Sequence, residues 1–183
     1  MKNIYSPEED SHLLSSVLKK KIPNIIEKNP NAKFLEIGCG SGIQLETAFE
    51  AGIKKENIFS CDINPDAVKH CKMLGFNCVK SNLFEKIKGK YEIIVFNPPY
   101  LPEDSREPRD SRMATTGGKD GGELTNKFLK QAKKHMTKNG RIFLLVSFLT
   151  KGLDFSDYRK KKLAEEKLFF EKLSVLELTF FDY

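Results

Sequence analysis

Short apolar runs alternate with helical patterns along most of the chain, and this alternation constrains the fold more than any other feature. The predicted strands are residues 34–37, residues 58–61, a short strand marked by Cys78 and Val79, residues 91–96 and residues 141–146. Several of these strands are apolar on both faces, which is typical of parallel strands buried between two layers of helices. The predicted fold class is therefore α/β, with a doubly wound, mostly parallel sheet.

Capping residues mark the predicted helices between these strands. A capping box at residues 6–9, with Pro7 at the first helical position, predicts the start of a helix whose apolar face carries Leu13, Leu14, Val17 and Leu18. The other predicted helices are residues 44–51, closed by Gly52; a helix capped by Asn64 and Pro65 and stopped by Gly75; and a helix that carries Phe128, Leu129, Ala132 and Met136.

The length of 183 residues predicts one domain with a full-sized core. We expect residues 1–32 to form an N-terminal helix and lead-in and residues 33–183 to form the core of a single domain. No apolar run approaches the roughly 18 residues of a membrane span, and the N-terminus lacks the apolar stretch of a signal peptide. The expected location is the cytoplasm, with no membrane partner.

Cysteines, histidines and charge limit the kinds of site that the chain can carry. The four cysteines form no C-x-x-C pair and the three histidines are scattered, so no metal site is predicted and reduced, buried thiols are expected. The net charge of +6 permits a nucleic-acid partner without requiring one. Its basic runs, residues 19–21 and 159–162, are more typical of solvated faces.

A glycine-rich turn follows the first predicted strand. The stretch "EIGCGSG" begins at Glu36 and places glycines at positions 38, 40 and 42, where they let the backbone approach a ligand closely. A dinucleotide fingerprint needs a glycine at position 43, which is occupied by Ile43. Pyrophosphate binding is therefore disfavoured.

Polar side chains stand at the ends of the next two predicted strands. Asp62 ends the second strand about 20 residues further on, where a pair of ribose hydroxyls would lie. Asn82 follows the third strand, and its amide could bond an adenine edge. Ligands of parallel sheets bind at the carboxyl ends of the strands, so the pattern predicts a site for a nucleoside without a phosphate.

The fourth predicted strand is cut off by "NPPY", residues Asn97, Pro98, Pro99 and Tyr100. Proline has no amide proton to donate to a sheet. In this position, with the glycine-rich turn upstream, the tetrapeptide resembles the signature of class I S-adenosylmethionine-dependent methyltransferases that methylate planar amide or exocyclic amine nitrogens. These include the HemK-type release-factor glutamine methyltransferases and the amino-methyltransferases of DNA and ribosomal RNA.

The chemistry of such nitrogens explains why a strand should end in this way. Their lone pair is delocalised, so they attack a sulfonium methyl group poorly. The side-chain oxygen of Asn97 and the backbone carbonyl of Pro98 can accept both N–H protons and hold the nitrogen in place. Tyr100 can stack on the planar group. Positioning and desolvation carry such a reaction, with no strong general base.

The resemblance covers nearly the whole chain and is closest to the small archaeal and eukaryotic branch of the HemK-type family. It implies a seven-stranded, Rossmann-like sheet with an antiparallel C-terminal hairpin, S-adenosyl-L-methionine as cofactor and S-adenosyl-L-homocysteine as product. By this similarity the cofactor pocket is lined by Ser11, Glu36, Gly38, Cys39, Gly40, Asp62, Ile63, Asn82, Leu83 and Asn97, and the catalytic residues are Asn97, Pro98, Pro99 and Tyr100. Ser11 would stand in for a hydroxyl residue that contacts the methionine end of the cofactor.

The implied substrate is the glutamine of the Gly-Gly-Gln motif in a class I translation release factor. Residues 114–123 resemble the glycine-rich substrate loop of the branch, and residues 101–122 could close over the substrate as a lid. Two alternatives stay open: an adenine or guanine amine methyltransferase that acts on RNA or DNA, and a catalytically silent cofactor-binding subunit. Retention of the complete tetrapeptide with Glu36 and Asp62 speaks against the silent subunit.

The C-terminal region and a possible partner follow from the same resemblance. Residues 150–157 are too few for the helix-containing crossover of the family, so a turn is expected there. Residues 159–173 have helix-forming composition, but we favour a strand that forms a hairpin with residues 173–180. Small members of the branch depend on a zinc-ribbon activator subunit, which is expected to dock near the apolar edge strand between Phe76 and Val79.

Overall fold

One mixed sheet organises the residues that the computed structural model describes, which are 6–101, 116–119 and 121–181. Its strands are β1 (Phe34–Ile37), β2 (Ile58–Asp62), β3 (Asn77–Lys80), β4 (Tyr91–Phe96), β5 (Met136–Ser147), β6 (Arg159–Lys167) and β7 (Lys172–Thr179). The seven strands lie in the order β3-β2-β1-β4-β5-β7-β6. Strands β1 to β5 are parallel, and β7 is antiparallel to both β5 and β6. The predicted α/β class, the mostly parallel sheet and the C-terminal hairpin are confirmed.

Helices cover both faces of the sheet. They are α1 (Glu9–Lys28), α2 (Ile43–Glu50), α3 (Pro65–Met73) and α4 (Glu123–Ala132), with short 3-10 turns at Lys55–Asn57 and Lys133–His135. Helices α1 to α3 pack on one face with Phe34 and Phe143 at the centre, and α4 packs on the other through Phe128. Two cores separated by the sheet are the doubly wound arrangement that the alternation predicted. None of the described helices has the length and apolar character needed to cross a bilayer.

The start of α1 differs from the prediction. Its N-cap is Glu8, in an extended conformation with no side-chain capping bond, and the helix begins at Glu9. The predicted capping box at residues 6–9, with Pro7 at the first helical position, is therefore wrong. The first turn instead buries Asp10 and Ser11, so tertiary contacts override the local capping signal. The predicted cap of α3 is confirmed, because the Asn64 side chain accepts from the Asp66 amide at 2.9 Å.

The junction between α4 and β5 also differs from the prediction. Met136 does not lie on the helix but is the first residue of β5, opposite Tyr91 of β4 and 1 % exposed. The predicted strand start at Arg141 is thus five residues late in the sequence. A buried apolar residue fits the end of a helix and the start of a strand equally well, so periodicity does not separate the two. Gly140 lies inside the strand, where a Cβ would meet the Tyr91 carbonyl oxygen at 2.9 Å.

The C-terminal region follows the favoured alternative. Residues 148–158, between β5 and β6, contain no helix, so the shortened crossover is confirmed. Strand β6 pairs along its length with β7 despite its helix-forming composition. The strands β3 and β6 form the two edges of the sheet.

Candidate active site

The carboxyl ends of the parallel strands meet at one rim of the sheet, which we call the carboxyl rim and define by the last residues of β1 to β5. These residues are Ile37, Asp62, Lys80, Phe96 and Ser147. Every loop that was predicted to carry chemistry leaves the sheet from this rim. The structure therefore brings the predicted site residues to one end of the sheet, as expected for a parallel fold.

The glycine-rich turn folds back on the end of β2. Gly38, Gly40 and Gly42 have positive φ angles of 71°, 47° and 84°, which side chains tolerate poorly. The amides of Gly38 and Cys39 both donate to the Cys61 carbonyl, at 2.8 and 3.1 Å. The backbone of the turn is thus held in a fixed conformation at the end of β2. The Cys39 thiol is buried beside that of Cys78, with 3.4 Å between the sulfur atoms, and all four cysteines are free and buried.

Asp62 fixes this turn through its carboxylate. Its two oxygens accept from the backbone amides of Gly40, at 2.9 Å, and Asn64, at 2.8 Å. Burial raises the pKa of Asp62, an effect that these hydrogen bonds partly offset. The next residue, Ile63, is 53 % exposed. The carboxylate of Asp62 can accept hydrogen bonds from the hydroxyl groups of a ligand, and the exposed side chain of Ile63 can contact a flat ring beside them.

Glu36 lies on β1 and is 2 % exposed. Its Oε2 atom is buried without a hydrogen-bond partner. Burial raises the pKa of Glu36 well above its usual range, and the nearby charge of Asp62 adds to the effect. A buried, unpaired carboxyl oxygen is costly to keep. Such an atom is well suited to a positively charged ligand that enters the pocket.

The loop after β3 carries the predicted Asn82 and Leu83. The Ser81 amide donates to the Asp62 carbonyl at 3.0 Å, which ties the loop to the end of β2. Leu83 has a positive φ of 48°, unusual for a residue with a side chain, and it is 6 % exposed. The Asn82 side chain donates to Glu85 at 2.9 Å.

The side chain of Asn97 is oriented by α1. Its Nδ2 donates to Asp10 Oδ2 at 2.9 Å, while its Oδ1 is buried with no hydrogen-bond partner. A carboxylate can only accept, so the nitrogen of the amide must face Asp10 and the oxygen must face away from it. Pro98 is buried and Pro99 is half-buried. The strand therefore ends in a proline-containing segment next to a buried amide oxygen that has no hydrogen-bond partner.

Tyr100 closes the tetrapeptide in a partly buried position. Its carbonyl accepts from Thr150 Oγ1 at 3.0 Å. Burial and the nearby charges of Asp10 and Glu171 raise the pKa of the Tyr100 phenol well above its usual range. The phenol is therefore neutral at ordinary pH and can offer its ring and a donor, but no basic oxygen.

The described part of the glycine-rich substrate loop packs directly on the tetrapeptide. The Gly117 amide donates to the Leu101 carbonyl at 3.0 Å. A Cβ at Gly117 would lie 2.5 Å from the Pro99 carbonyl oxygen and 2.2 Å from that of Gly121, so no side chain fits there. The predicted lid falls largely on residues 102–115 and 120, outside the described residues.

Two residues of the site were not singled out from the sequence. Asp10 has no predicted role in the sequence, yet it makes the contact to Asn97. Gln44 is 1 % exposed; its Nε2 donates to the Ser11 carbonyl and its Oε1 accepts from the Ser15 hydroxyl, both at 2.9 Å. An acid in the first turn of a helix and a glutamine on an amphipathic helix carry no distinguishing sequence signal.

Within the described ranges, no group of three or more His, Cys, Asp or Glu side chains is arranged to hold a metal ion.

The chain is similar in sequence to known methyltransferases. Residues 7–156 match the family model described as the methyltransferase small domain. A protein of Methanocaldococcus jannaschii assigned as a protein N5-glutamine methyltransferase is 37 % identical over 155 residues, which cover 80 % of this chain and 74 % of that protein. A release factor glutamine methyltransferase of Agrobacterium fabrum is 28 % identical over 163 residues, 80 % of this chain and 56 % of its own length.

A solved structure shares the fold over almost the whole chain. It is the Mtq2–Trm112 complex of E. cuniculi, described as responsible for methylation of the eRF1 translation termination factor. The superposition has a TM-score of 0.73 with 23 % sequence identity and covers 97 % of this chain and 98 % of the other. The fold is thus that of a class I methyltransferase.

Proposed function

The chain belongs to the methyltransferase small domain family, and we propose that it methylates the side-chain amide nitrogen of the Gly-Gly-Gln glutamine in a class I translation release factor. The methyl donor in this proposal is S-adenosyl-L-methionine, and S-adenosyl-L-homocysteine is the product. The observation that carries the proposal is the buried, unpaired Oδ1 of Asn97, whose amide is held in one orientation by Asp10. This oxygen lacks a hydrogen bond, and a substrate amide can donate one to it.

The residues at the rim suit this methyl donor. The donor carries a sulfonium, an ammonium and one carboxylate, so its net charge is positive. Glu36 and Asp62 offer acidic groups that complement this charge. Ile63 and Leu83 offer apolar surface for the adenine ring, and Asp62 can accept from ribose hydroxyls. The residues that would hold the donor are Ser11, Glu36, Gly38, Cys39, Gly40, Asp62, Ile63, Asn82, Leu83 and Asn97. When bound, the donor supplies a methyl group that is activated for transfer.

The protein's own contribution to the reaction is to place the amide nitrogen. Asn97 Oδ1 accepts one N–H proton of the glutamine amide and the Pro98 carbonyl accepts the other, which fixes the nitrogen and favours the positive charge that builds on it. Tyr100 covers the planar amide and remains neutral, because burial and nearby acids keep its pKa high. One of the two N–H protons becomes acidic only as the C–N bond forms, and it then leaves to water, so the site needs no strong base.

A small zinc-ribbon activator is the partner that the family resemblance implies, and we place it at the β3 edge. A groove of about 440 Å³ runs beside this strand, between apolar side chains and a set of basic ones. The basic residues are Lys72, Lys86 and Lys88. Val79 is 42 % exposed on this edge. An exposed edge strand can pair with a strand of another chain, and the E. cuniculi relative was solved together with Trm112.

The N-terminal region, residues 1–32, and the core, residues 33–183, form one methyltransferase domain in this proposal. Helix α1 packs on α2 and on the sheet, and it carries the Asp10 that orients Asn97. The proposed location is the cytoplasm, where release factors act.

Radiolabelled methyl transfer to recombinant release factor tests the proposal. We expect label on the wild-type release factor and none when the glutamine of its Gly-Gly-Gln motif is replaced. Asn97→Ala should abolish transfer and leave measurable donor binding. The matched control is Asn139→Ala, an exposed asparagine in the first half of β5, which should leave the rate unchanged. Label that persists after the glutamine is replaced would refute the proposal.

An RNA or DNA amine methyltransferase is the second candidate, since the same tetrapeptide serves exocyclic amines and the chain carries a net charge of +6. Four consecutive basic residues, Arg159 to Lys162, are exposed on edge strand β6. Labelling of RNA or DNA that falls steeply between low and moderate salt would favour this candidate. Transfer to a protein loop should depend much less on salt.

A further inference from the structure

The turn between β6 and β7 carries two almost fully exposed phenylalanines. Phe169 is 96 % exposed and Phe170 is 87 % exposed, and their ring centroids lie 5.6 Å apart. The turn, residues 168–171, is called the aromatic tip below. It is closed by a hydrogen bond of 2.7 Å from the Leu168 amide to the Glu171 carbonyl. Turns favour glycine, asparagine, aspartate and proline, so the two phenylalanines do not stabilise the turn. Adjacent exposed aromatic rings are typical of interaction surfaces.

The aromatic tip projects from the carboxyl rim. Ser147, at the end of β5, lies opposite Leu173 near the start of β7, and the last pair of the hairpin is Lys167 with Lys172. Neighbouring strands are about 4.8 Å apart, so a turn two to three strands from β4 stands roughly 12 Å from the tetrapeptide along this rim. A loop of about four extended residues spans that distance.

Contacts connect the aromatic tip to the site. Phe148, itself 56 % exposed, donates its amide to the Lys172 carbonyl at 2.9 Å. Two residues later, Thr150 bonds the Tyr100 carbonyl at 3.0 Å. Glu171 lies close enough for its charge to contribute to the raised pKa of Tyr100, and its Oε1 is a buried acceptor without a partner. Hydrogen bonds therefore link the base of the hairpin to Tyr100 through residues 148–150.

We propose that the aromatic tip, together with Phe148, is the surface on which the protein substrate docks. An apolar patch of the substrate, next to the loop that carries the glutamine, covers Phe169 and Phe170 while the loop reaches Asn97. A folded protein cannot bring one of its amides to Asn97 without lying along the carboxyl rim. Phe148 follows β5, one strand from β4, and among the described residues Phe169 and Phe170 are the most exposed large apolar side chains. The proposal rests on the proposed function and adds where the substrate protein is held.

Steady-state transfer to two substrates tests this surface. One substrate is the intact recombinant release factor, and the other is a short peptide with the same Gly-Gly-Gln loop. For the double variant Phe169→Ser with Phe170→Ser, we expect KM for the intact protein to rise about tenfold or more, as for loss of an aromatic anchor, with kcat unchanged. Kinetics with the peptide should not change. The matched control is Phe49→Ser, which replaces a 51 % exposed phenylalanine near the far end of α2 and should affect neither substrate.

Each other result is informative. An unchanged KM for the intact protein, or an equal loss with both substrates, overturns the docking proposal. Two further measurements detect other occupants of the aromatic tip. In sedimentation, a wild-type dimer that is lost in the double variant would assign the tip to a second copy of the chain. In binding to phosphatidylcholine–phosphatidylglycerol vesicles, wild-type binding that is lost in the double variant would assign the tip to a membrane surface. Wild-type enzyme that labels neither substrate on glutamine, with or without its zinc-ribbon partner, overturns the proposed function itself. The side chains are solvent-exposed, so an unchanged melting temperature should confirm that the variant folds.

Discussion

Asp10 and Asn97 lie 87 positions apart in the sequence and share a hydrogen bond of 2.9 Å. Replacing Asp10 by Asn lets the two amides adopt alternative pairings, so Asn97 no longer presents its oxygen in one orientation. A hydrogen bond to a charged group contributes about 1.5–3 kcal/mol, so we expect kcat to fall about 10- to 100-fold, with KM for the release factor changed less than about threefold.

The control for Asp10→Asn is Glu9→Gln, which removes the same charge from an exposed position one residue earlier. It should retain nearly full activity. An equal loss of kcat in both variants would show that the first turn of α1 acts through its negative charge and not through the hydrogen bond to Asn97. An Asp10→Asn variant with normal kcat would show that Asn97 needs no orientation.

Glu36 should make the free energy of unfolding fall as pH rises. Its pKa in the folded state is raised by burial, so above pH about 4.5 the unfolded chain releases a proton that the folded chain keeps. The folded state is then destabilised progressively as pH rises, by at most about 1.4 kcal/mol per pH unit, until pH passes the folded pKa. Glu36→Gln removes this effect in the ligand-free protein.

Urea unfolding at pH 5, 6.5 and 8 measures this effect. We expect the stability gain of Glu36→Gln over wild type to grow from pH 5 to pH 8, whereas Glu56→Gln, at an exposed position, should give a constant difference. A gain that is independent of pH would show that Glu36 is ionised in the folded state across this range.

At the scale of elements, α1 is attached to α2 by a buried polar cluster. Gln44 bonds the Ser11 carbonyl and the Ser15 hydroxyl, and Thr47 donates to that same hydroxyl at 3.2 Å. Gln44→Met keeps the volume and removes both bonds of the glutamine, so we expect a loss of about 1–3 kcal/mol in the free energy of unfolding and a lower kcat, because α1 carries Asp10. Ser16→Ala, which removes an exposed hydroxyl on α1, should change stability by less than about 0.5 kcal/mol. A similar small change for Gln44→Met would show that packing alone holds α1.

The sequence predicted those elements whose signals are local. Strand Tyr91–Phe96 is a continuous apolar run stopped by two prolines, and its bounds agree with the structure. The Asn64 cap and the positions of the glycines were likewise visible, because each depends on the conformational needs of a few neighbouring residues. The start of α1 and the start of β5 were missed, because Asp10 and Met136 make contacts to distant parts of the chain.

The site was predictable to the same extent. Asp62 and Asn97 were identified because strand ends of parallel sheets are where ligands bind. Asp10 and Gln44 were missed, since their contacts exist only once α1 packs on α2 and its first turn reaches Asn97. The orphan oxygen of Asn97, which best defines the chemistry, is a property of three-dimensional packing that no sequence pattern contains.

For the whole molecule, the two edges of the sheet differ in a way that assigns them different uses. Strand β6 presents a run of lysines and glutamates, a charged edge that resists pairing with other chains. Strand β3 has four residues, and its edge adjoins the groove that we assign to the activator. One edge is thus protected, and the other is left for a partner.

This asymmetry predicts the effect of a substitution on each edge. Val79→Lys places a charge on the partner edge, so we expect affinity for a zinc-ribbon protein from the same organism to fall about tenfold or more, measured by calorimetry. The melting temperature of the chain alone should change little, because Val79 is 42 % exposed. Lys161→Ala, on the β6 edge, should leave affinity unchanged. If the zinc-ribbon protein binds the Val79→Lys variant as tightly as wild type, or if Lys161→Ala is the variant that weakens binding, the partner does not pair with β3 and the groove serves another purpose.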